Sequence, residues 1–82
     1  MEKFYITFGS EGHPFRGGWT VVYASDEEKA RALAIERYGL DRQGFARFCM
    51  CYSEERFAAT KMGEMGSFGA FCHETIREVP NE

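Results

Sequence analysis

The sequence predicts a small α+β domain in which a four-stranded, mainly antiparallel sheet carries one main helix across a face, in the order β-β-α-β-(α)-β. Two observations predict this class. Segments before residue 25 and after residue 44 alternate polar and apolar residues, as half-buried strands do. Residues 25–39 instead carry a helix start, apolar residues at helical spacing and a terminal glycine. The 82 residues form a single domain, 1–82, and so small a core leaves self-association into a homo-oligomer open.

The main helix is the element that the sequence indicates most strongly. Ser25 and Glu28 have the spacing of a capping box, in which two side chains bond orphan backbone N–H groups of the first turn. Glu27 and Arg31 are spaced as an exposed ion pair, and Gly39 can adopt the left-handed conformation that ends a helix. The stripe expected to pack on the sheet consists of Ala30, Leu33, Ala34 and Tyr38, with Ile35 and Ala32 outside it.

Two strands are predicted before this helix. The first covers residues 3–8, and the second covers residues 19–24. Residues 9–18 contain four glycines and a proline, so they cannot continue the ladder and form a long hairpin loop. The apolar face of the first strand consists of Phe4, Ile6 and Phe8.

A third strand, a weaker helix and a fourth strand are predicted after it. The third strand covers residues 45–52, after a polar connection, and its two largely apolar faces indicate a central position in the sheet. Ser53 has the position of an N-cap for the weaker helix, and the glycines of residues 63–69 end it. The last strand covers residues 71–79.

Charge and hydropathy exclude several classes of function. The net charge is −3, and acidic and basic residues are mixed, so there is no basic field for direct binding to nucleic acid. We also expect no membrane partner, because no apolar run is long enough to span a bilayer and the alternating start is not a signal peptide. A cytoplasmic location is therefore expected.

The first half of the chain resembles a group of small phage- and prophage-encoded proteins. The resemblance rests on the opening Phe4-Tyr5-Ile6-Thr7-Phe8-Gly9, then on Ser25-x-x-Glu28-x-Ala30-Arg31 and Tyr38-Gly39; the group opens with Phe-Tyr-x-Thr-Phe-Gly. It implies a small non-enzymatic protein in the cytoplasm of an infected bacterial host. It further implies a role in countering bacterial defence, either by occluding a nuclease or by taking up a nucleotide signal.

The cysteines suggest neither a metal centre nor a nucleophile. Cys49 and Cys51 are two apart, which on a strand only aligns their side chains, and the adjacent Cys72 and His73 would point apart. We therefore expect three reduced, small, buried thiols, no metal and no cofactor. Because no oxyanion-hole motif or orienting third group accompanies a cysteine and histidine pair, no catalytic residue is expected and the protein is predicted not to be an enzyme.

Two loops carry the candidate binding residues. The hairpin loop combines a guanidinium, aromatic rings and glycine N–H groups, which together suit the phosphate and base of a nucleotide. Its predicted ligand-binding residues are His13, Phe15, Arg16 and Trp19, although a solvated loop with its rings folded onto the sheet is the alternative. The second loop is glycine-rich and adaptable, and its predicted partner-binding residues are Met62, Met65 and Phe68.

These loops leave two hypotheses open. The protein binds and sequesters a small anionic nucleotide-type ligand, or it is a stoichiometric inhibitor or adaptor that docks on a larger host defence protein such as a CRISPR effector. The two hypotheses differ in the size of the partner and in the stoichiometry of the complex.

Overall fold

The computed structural model describes residues 1–8, 17–66 and 69–78, with the side chains of residues 46–48 excepted, and it confirms the predicted α+β class. Within these ranges the chain folds into four strands and four helices. In chain order they are β1 (Glu2–Phe8), β2 (Trp19–Ala24), α1 (Glu27–Tyr38), α2 (Arg42–Phe48), β3 (Cys49–Ser53), α3 (Glu54–Thr60), α4 (Met62–Met65) and β4 (Cys72–Arg77).

The four strands form one mixed sheet in the order β3-β1-β2-β4. Strand β1 is antiparallel to both β2 and β3, whereas β4 runs parallel to β2 with a bulge opposite Trp19 and Thr20. The prediction that the third strand is central is wrong, because β3 lies at an edge. Its faces are apolar because each contributes to a packed cluster, with Cys49 and Cys51 on one side and Tyr52 on the other.

Each face of the sheet has its own hydrophobic cluster. On the α1 side, the buried side chains from the strands are Phe4, Ile6, Phe8, Val22, Ala24, Cys49 and Cys51. Helix α1 adds buried Ala30 and Ala34, with Leu33 and Tyr38 half-buried against the cluster, so the predicted stripe is confirmed. Ile35 also packs there, which makes the stripe wider than predicted. On the opposite face Trp19 and Val21 are covered by Phe57 of α3.

The predicted capping box at the start of α1 is wrong. Asp26 is the N-cap, and its carboxylate accepts a hydrogen bond from the Lys29 N–H at 2.8 Å. Ser25 instead donates through both its N–H and its hydroxyl to the carboxylate of Glu78, just beyond β4. The Asp26 carboxylate, a stronger acceptor than a hydroxyl, therefore caps α1. Ser25 connects the start of the helix to the segment that follows β4. The predicted helix end is confirmed, since Gly39 has φ 67°.

Helix α2 occupies residues that the sequence predicts as connection and strand. The Asp41 carboxylate accepts a hydrogen bond from the Gly44 N–H, and the Asp41 carbonyl accepts one from the Phe45 N–H. These bonds start a helical turn that buries Phe45 against the α1 side of the sheet. The predicted strand over residues 45–52 is therefore wrong in its first half, because alternation over a few aromatic residues does not distinguish a strand from a short helix.

The weaker helix is confirmed as α3. The Ser53 hydroxyl accepts a hydrogen bond from the Arg56 N–H at 3.2 Å, and Phe57 is the buried residue of the helix. The predicted break over residues 63–69 is wrong for its first residues, which belong to the single-turn helix α4. Lys61 takes the left-handed conformation between the two helices. It therefore ends α3 and lets the chain turn directly into α4.

Candidate ligand cavity beside the edge strand

The structure places the predicted hairpin residues unevenly. His13, Phe15 and Arg16 lie outside the described residues. Trp19 is 6% exposed, and its ring packs edge-on against Phe57 and Phe71, with centroids 5.0 and 5.8 Å away. Its indole is thus part of the core on the α3 side, and the hairpin site stays a prediction.

The predicted partner-binding residues are split between core and surface. Phe68 lies outside the described residues. Met62 is half-buried against the cluster of Trp19 and Phe57, whereas Met65 is 77% exposed. The structure therefore brings Met62 and Trp19 to the same face of the sheet, and it leaves the thioether of Met65 in solvent.

A cavity of about 400 Å³ opens beside β3, at a place for which the sequence predicts no site. Helix α1 forms one wall, α2 a second and the start of α3 a third, and β3 forms the floor. The lining residues are Glu27, Arg31, Ile35, Arg42, Phe45, Cys49, Met50, Cys51 and Arg56. We call it the arginine cavity, because three guanidinium groups line it against a single carboxylate.

Two of the three arginines are held by surface carboxylates. Arg31 lies 3.3 Å from Glu27, which confirms the predicted ion pair, and 3.9 Å from Glu28. Arg42 pairs with the other oxygen of Glu28 at 3.0 Å, so this carboxylate bridges α1 and α2. Such exposed ion pairs contribute little to stability, and an anionic ligand can replace them.

The third arginine has different surroundings. The Arg56 guanidinium lies over the ring of Tyr52, 5.5 Å from its centroid. Among the described carboxylates none lies within ion-pair distance of it. A planar cation held against an aromatic face is a preorganised donor for carboxylate or phosphate oxygens.

The two thiols on the cavity floor are not activated. Burial raises the pKa of both Cys49 and Cys51 to about 11, so both are protonated at neutral pH. Their predicted burial is confirmed, but Cys72 is exposed, because it begins the edge strand β4 rather than a covered strand. No group of three metal-ligand side chains occurs among the described residues.

A second polar cluster joins α1 to β2 and β4. The Tyr38 hydroxyl donates to the Glu74 carboxylate at 2.8 Å and lies 2.6 Å from the Thr20 hydroxyl, which therefore donates to Tyr38. Arg37 pairs with the second oxygen of Glu74 at 2.8 Å. Burial raises the pKa of Tyr38 to about 12, whereas the hydrogen bond from Tyr38, together with Arg37, lowers the pKa of Glu74. These groups bond one another and fix the last strand.

The sequence contains part of the pattern that forms the cavity. Glu27 and Arg31 are recognisable as a helical pair, but Arg42 falls in the segment predicted as connection, and Arg56 in a helix predicted only weakly. Their convergence depends on α2 and on the edge position of β3, neither of which the sequence predicts.

No helix of the described residues is both long enough and apolar enough to span a bilayer. Comparisons of the chain with known protein families, with curated proteins and with solved structures give no match in any of the three.

Proposed function

We propose that the protein is a small non-enzymatic, phage-type protein that counters bacterial defence by binding and sequestering a small anionic, nucleotide-type ligand. The arginine cavity carries the proposal. It joins three guanidinium groups to an apolar wall within about 400 Å³, which is in the size range of small-molecule sites.

The chemistry of the cavity matches the two parts of a nucleotide. Arg42 and Arg56 offer forked N–H donors for phosphate oxygens, and such charge-assisted pairs are about twice as strong as neutral hydrogen bonds. Ile35 and Met50 offer apolar contacts for a base or a ribose ring. The resemblance of the first half of the chain to small phage proteins supports a counter-defence role.

Binding without turnover agrees with the side chains of the cavity floor. Because burial raises the pKa of Cys49 and Cys51 to about 11, neither thiol is a ready nucleophile at neutral pH. The protein would then act by mass action, and one chain would remove at most one ligand per cavity.

The proposal is tested on the freshly purified full chain. Native mass spectrometry reports the number of subunits and any co-purified nucleotide, and calorimetry against cyclic and ADP-ribose-type nucleotides measures affinity. Losing a charge-assisted contact costs about 1.5–3 kcal/mol, so Arg42→Ala and Arg56→Ala should each weaken binding about 10- to 150-fold. Arg77→Ala is the matched control. Arg77 belongs to β4, lies over the ring of Tyr23 and does not line the cavity.

Three outcomes count against this site. Binding that falls equally in Arg77→Ala means that general charge, not the cavity, holds the ligand. Binding that falls only in Arg16→Ala assigns the ligand to the hairpin loop. A chain that binds no nucleotide of the panel contradicts the sequestration function itself.

A stoichiometric inhibitor or adaptor is the second candidate, and the exposure of Met65 favours it. A methionine that is 77% exposed beside a half-buried Met62 is an adaptable apolar contact for a larger protein. A tagged chain should then recover one host defence protein in equimolar amount from infected-cell lysate, and Met65→Glu should abolish the recovery. Equal recovery by Met65→Glu contradicts a role of this surface.

A further inference from the structure

The direction of the backbone N–H and C=O groups of β3 can be derived from the hydrogen bonds of β1. The Phe8 carbonyl accepts a hydrogen bond from the Gly17 N–H at 2.9 Å, which directs the backbone groups of Phe8 toward β2. In an antiparallel ladder successive residues point to opposite sides. Thr7 and Tyr5 therefore direct their N–H and C=O groups toward β3.

The same alternation fixes which residue of β3 faces outward. Thr7 pairs with Met50 and Tyr5 pairs with Tyr52, so these residues of β3 point inward to β1. Cys51 lies between them and directs its N–H and C=O away from the sheet. No described strand pairs with that side of β3, since β3 is the last strand of the order.

The two edges of the sheet differ in how they resist further pairing. Strand β4 carries Glu74 and Arg77, and its pairing with β2 contains a bulge, which are two of the devices that protect natural edges. Strand β3, with the sequence Cys-Met-Cys-Tyr-Ser, has no charge and no proline. Its apolar Met50 is 53% exposed.

The charges beside this edge, with which no further described strand pairs, bear on what could add to it. Arg31 and Arg42 stand on the α1 side, where Glu27 and Glu28 pair with them, whereas Arg56 at the start of α3 has no described carboxylate within ion-pair distance. An acidic strand meets complementary charge at the same place.

We propose that β3 accepts one additional strand from an acidic, extended segment of a partner protein, with the added strand bonded to the N–H and C=O of Cys51. Main-chain bonds supply the pairing, and the arginines select acidic side chains, as in other cases of strand addition. The inference goes beyond the proposed nucleotide ligand, because it concerns the main chain of β3 and a protein partner. The two occupants would compete where the added strand covers the arginine cavity.

The test uses the full chain and a fluorescently labelled peptide, acetyl-Glu-Val-Asp-Val-Glu-Val-Asp-amide. We expect its anisotropy to report saturable one-to-one binding, and hydrogen exchange of the Cys51 amide to slow at saturation. A peptide with lysine at every acidic position should bind at least about tenfold more weakly. Arg56→Glu should weaken binding of the acidic peptide and strengthen binding of the lysine peptide. Arg77→Glu, on the other edge of the sheet, should change the affinity for neither peptide.

Methylated peptides separate pairing from simple charge attraction without altering the protein. N-methylation at alternate residues removes one set of strand hydrogen bonds, so one of the two alternating patterns should abolish binding and the other should not. Equal binding by both patterns, or an unchanged exchange rate at Cys51, overturns the inference. Dimerisation of the chain through β3 without peptide also overturns it, in favour of a second copy as occupant.

The outcomes are independent of the nucleotide experiment. If calorimetry finds a nucleotide in the arginine cavity and neither peptide pattern binds, strand addition fails and sequestration stands. If the peptide protects Cys51 and no nucleotide binds, sequestration fails and strand addition stands.

Discussion

Tyr5 of β1 and Phe57 of α3 stack face to face, with ring centroids 3.8 Å apart and planes within 2° of parallel. This stack joins a central strand to the helix that directly follows the edge strand. The Trp19 ring meets the same phenyl group edge-on at 5.0 Å. Phe57 therefore holds α3, and with it Arg56 and one wall of the arginine cavity, against the sheet.

The first prediction is that Phe57→Ala destabilises the domain by about 3–4 kcal/mol, because it removes a buried aromatic side chain and leaves a cavity. That is a large share of the roughly 5–10 kcal/mol expected for a domain of this size. Chemical denaturation measures it, and Met65→Ala, at an exposed methionine, should change the free energy of unfolding by less than about 0.5 kcal/mol. Equal effects of the two substitutions would mean that α3 is not packed on the sheet.

The sequence predicts this fold where the local pattern and the packing agree. Strand β2 has the predicted bounds, α1 begins two residues after the predicted cap Ser25, and α3 starts at the predicted cap Ser53. These segments show clear alternation, helical spacing or a capping residue, all of which are local properties.

The remainder depends on contacts between distant residues. Asp26 and not Ser25 caps α1, and Ser25 bonds Glu78, which is far away in the chain. The arginine cavity forms because residues of α1, α2 and α3 lie around an edge strand, and residue spacing alone does not encode that arrangement. The hairpin loop is predicted as the binding site because its glycines, aromatic rings and guanidinium are neighbours in the sequence itself.

The second prediction compares two glycines that both have positive φ. Gly18 has φ 72°, and a Cβ there would lie 2.5 Å from the Phe71 carbonyl oxygen and would also overlap the His73 ring. Gly39 has φ 67°, and a Cβ there would meet nothing within 4 Å. Gly39→Ala should therefore cost only the left-handed strain, about 1–2 kcal/mol, whereas Gly18→Ala should cost about 3 kcal/mol or more.

Thermal unfolding of both variants is sufficient to compare the two glycines. A Gly18→Ala midpoint at or above that of Gly39→Ala would contradict the close approach of the β2 entry to the chain before β4. The same result would also argue against the 2.9 Å hydrogen bond between His73 and the Gly17 carbonyl, because that bond depends on the same close approach.

The third prediction concerns the rates at which the three thiols react. Because the pKa of Cys49 and Cys51 is raised to about 11, only about 0.1% of each is thiolate at pH 8. Cys72 is exposed. A chromogenic disulfide reagent should therefore modify one thiol rapidly in the native protein and the other two only after denaturant is added.

The Cys72→Ser variant tests which thiol reacts rapidly. In its native state this variant should show no rapid phase of modification by the reagent. Cys51→Ser is the matched comparison and should retain that phase. Two or three rapid equivalents in the native protein would mean that the floor of the arginine cavity is open to the reagent.

The last prediction is the contribution of Glu74 to stability at different pH values. Its pKa is lowered, first by the hydrogen bond that Tyr38 donates and then by Arg37, so the folded state favours the carboxylate. A group with a lowered folded pKa stabilises the protein above its unfolded pKa, and this contribution disappears as the pH falls through the folded value. Wild type should exceed Glu74→Gln in stability by about 1–2 kcal/mol at pH 7, and the difference should shrink only as the pH falls below the ordinary glutamate value of 4.5 and through the lowered folded pKa. Glu55→Gln, at an exposed position on α3, should follow the wild-type curve at every pH, and denaturation at a series of pH values measures all three. A difference between wild type and Glu74→Gln that stays constant throughout the acid limb of the curve would show that the carboxylate charge does not hold β4 to α1.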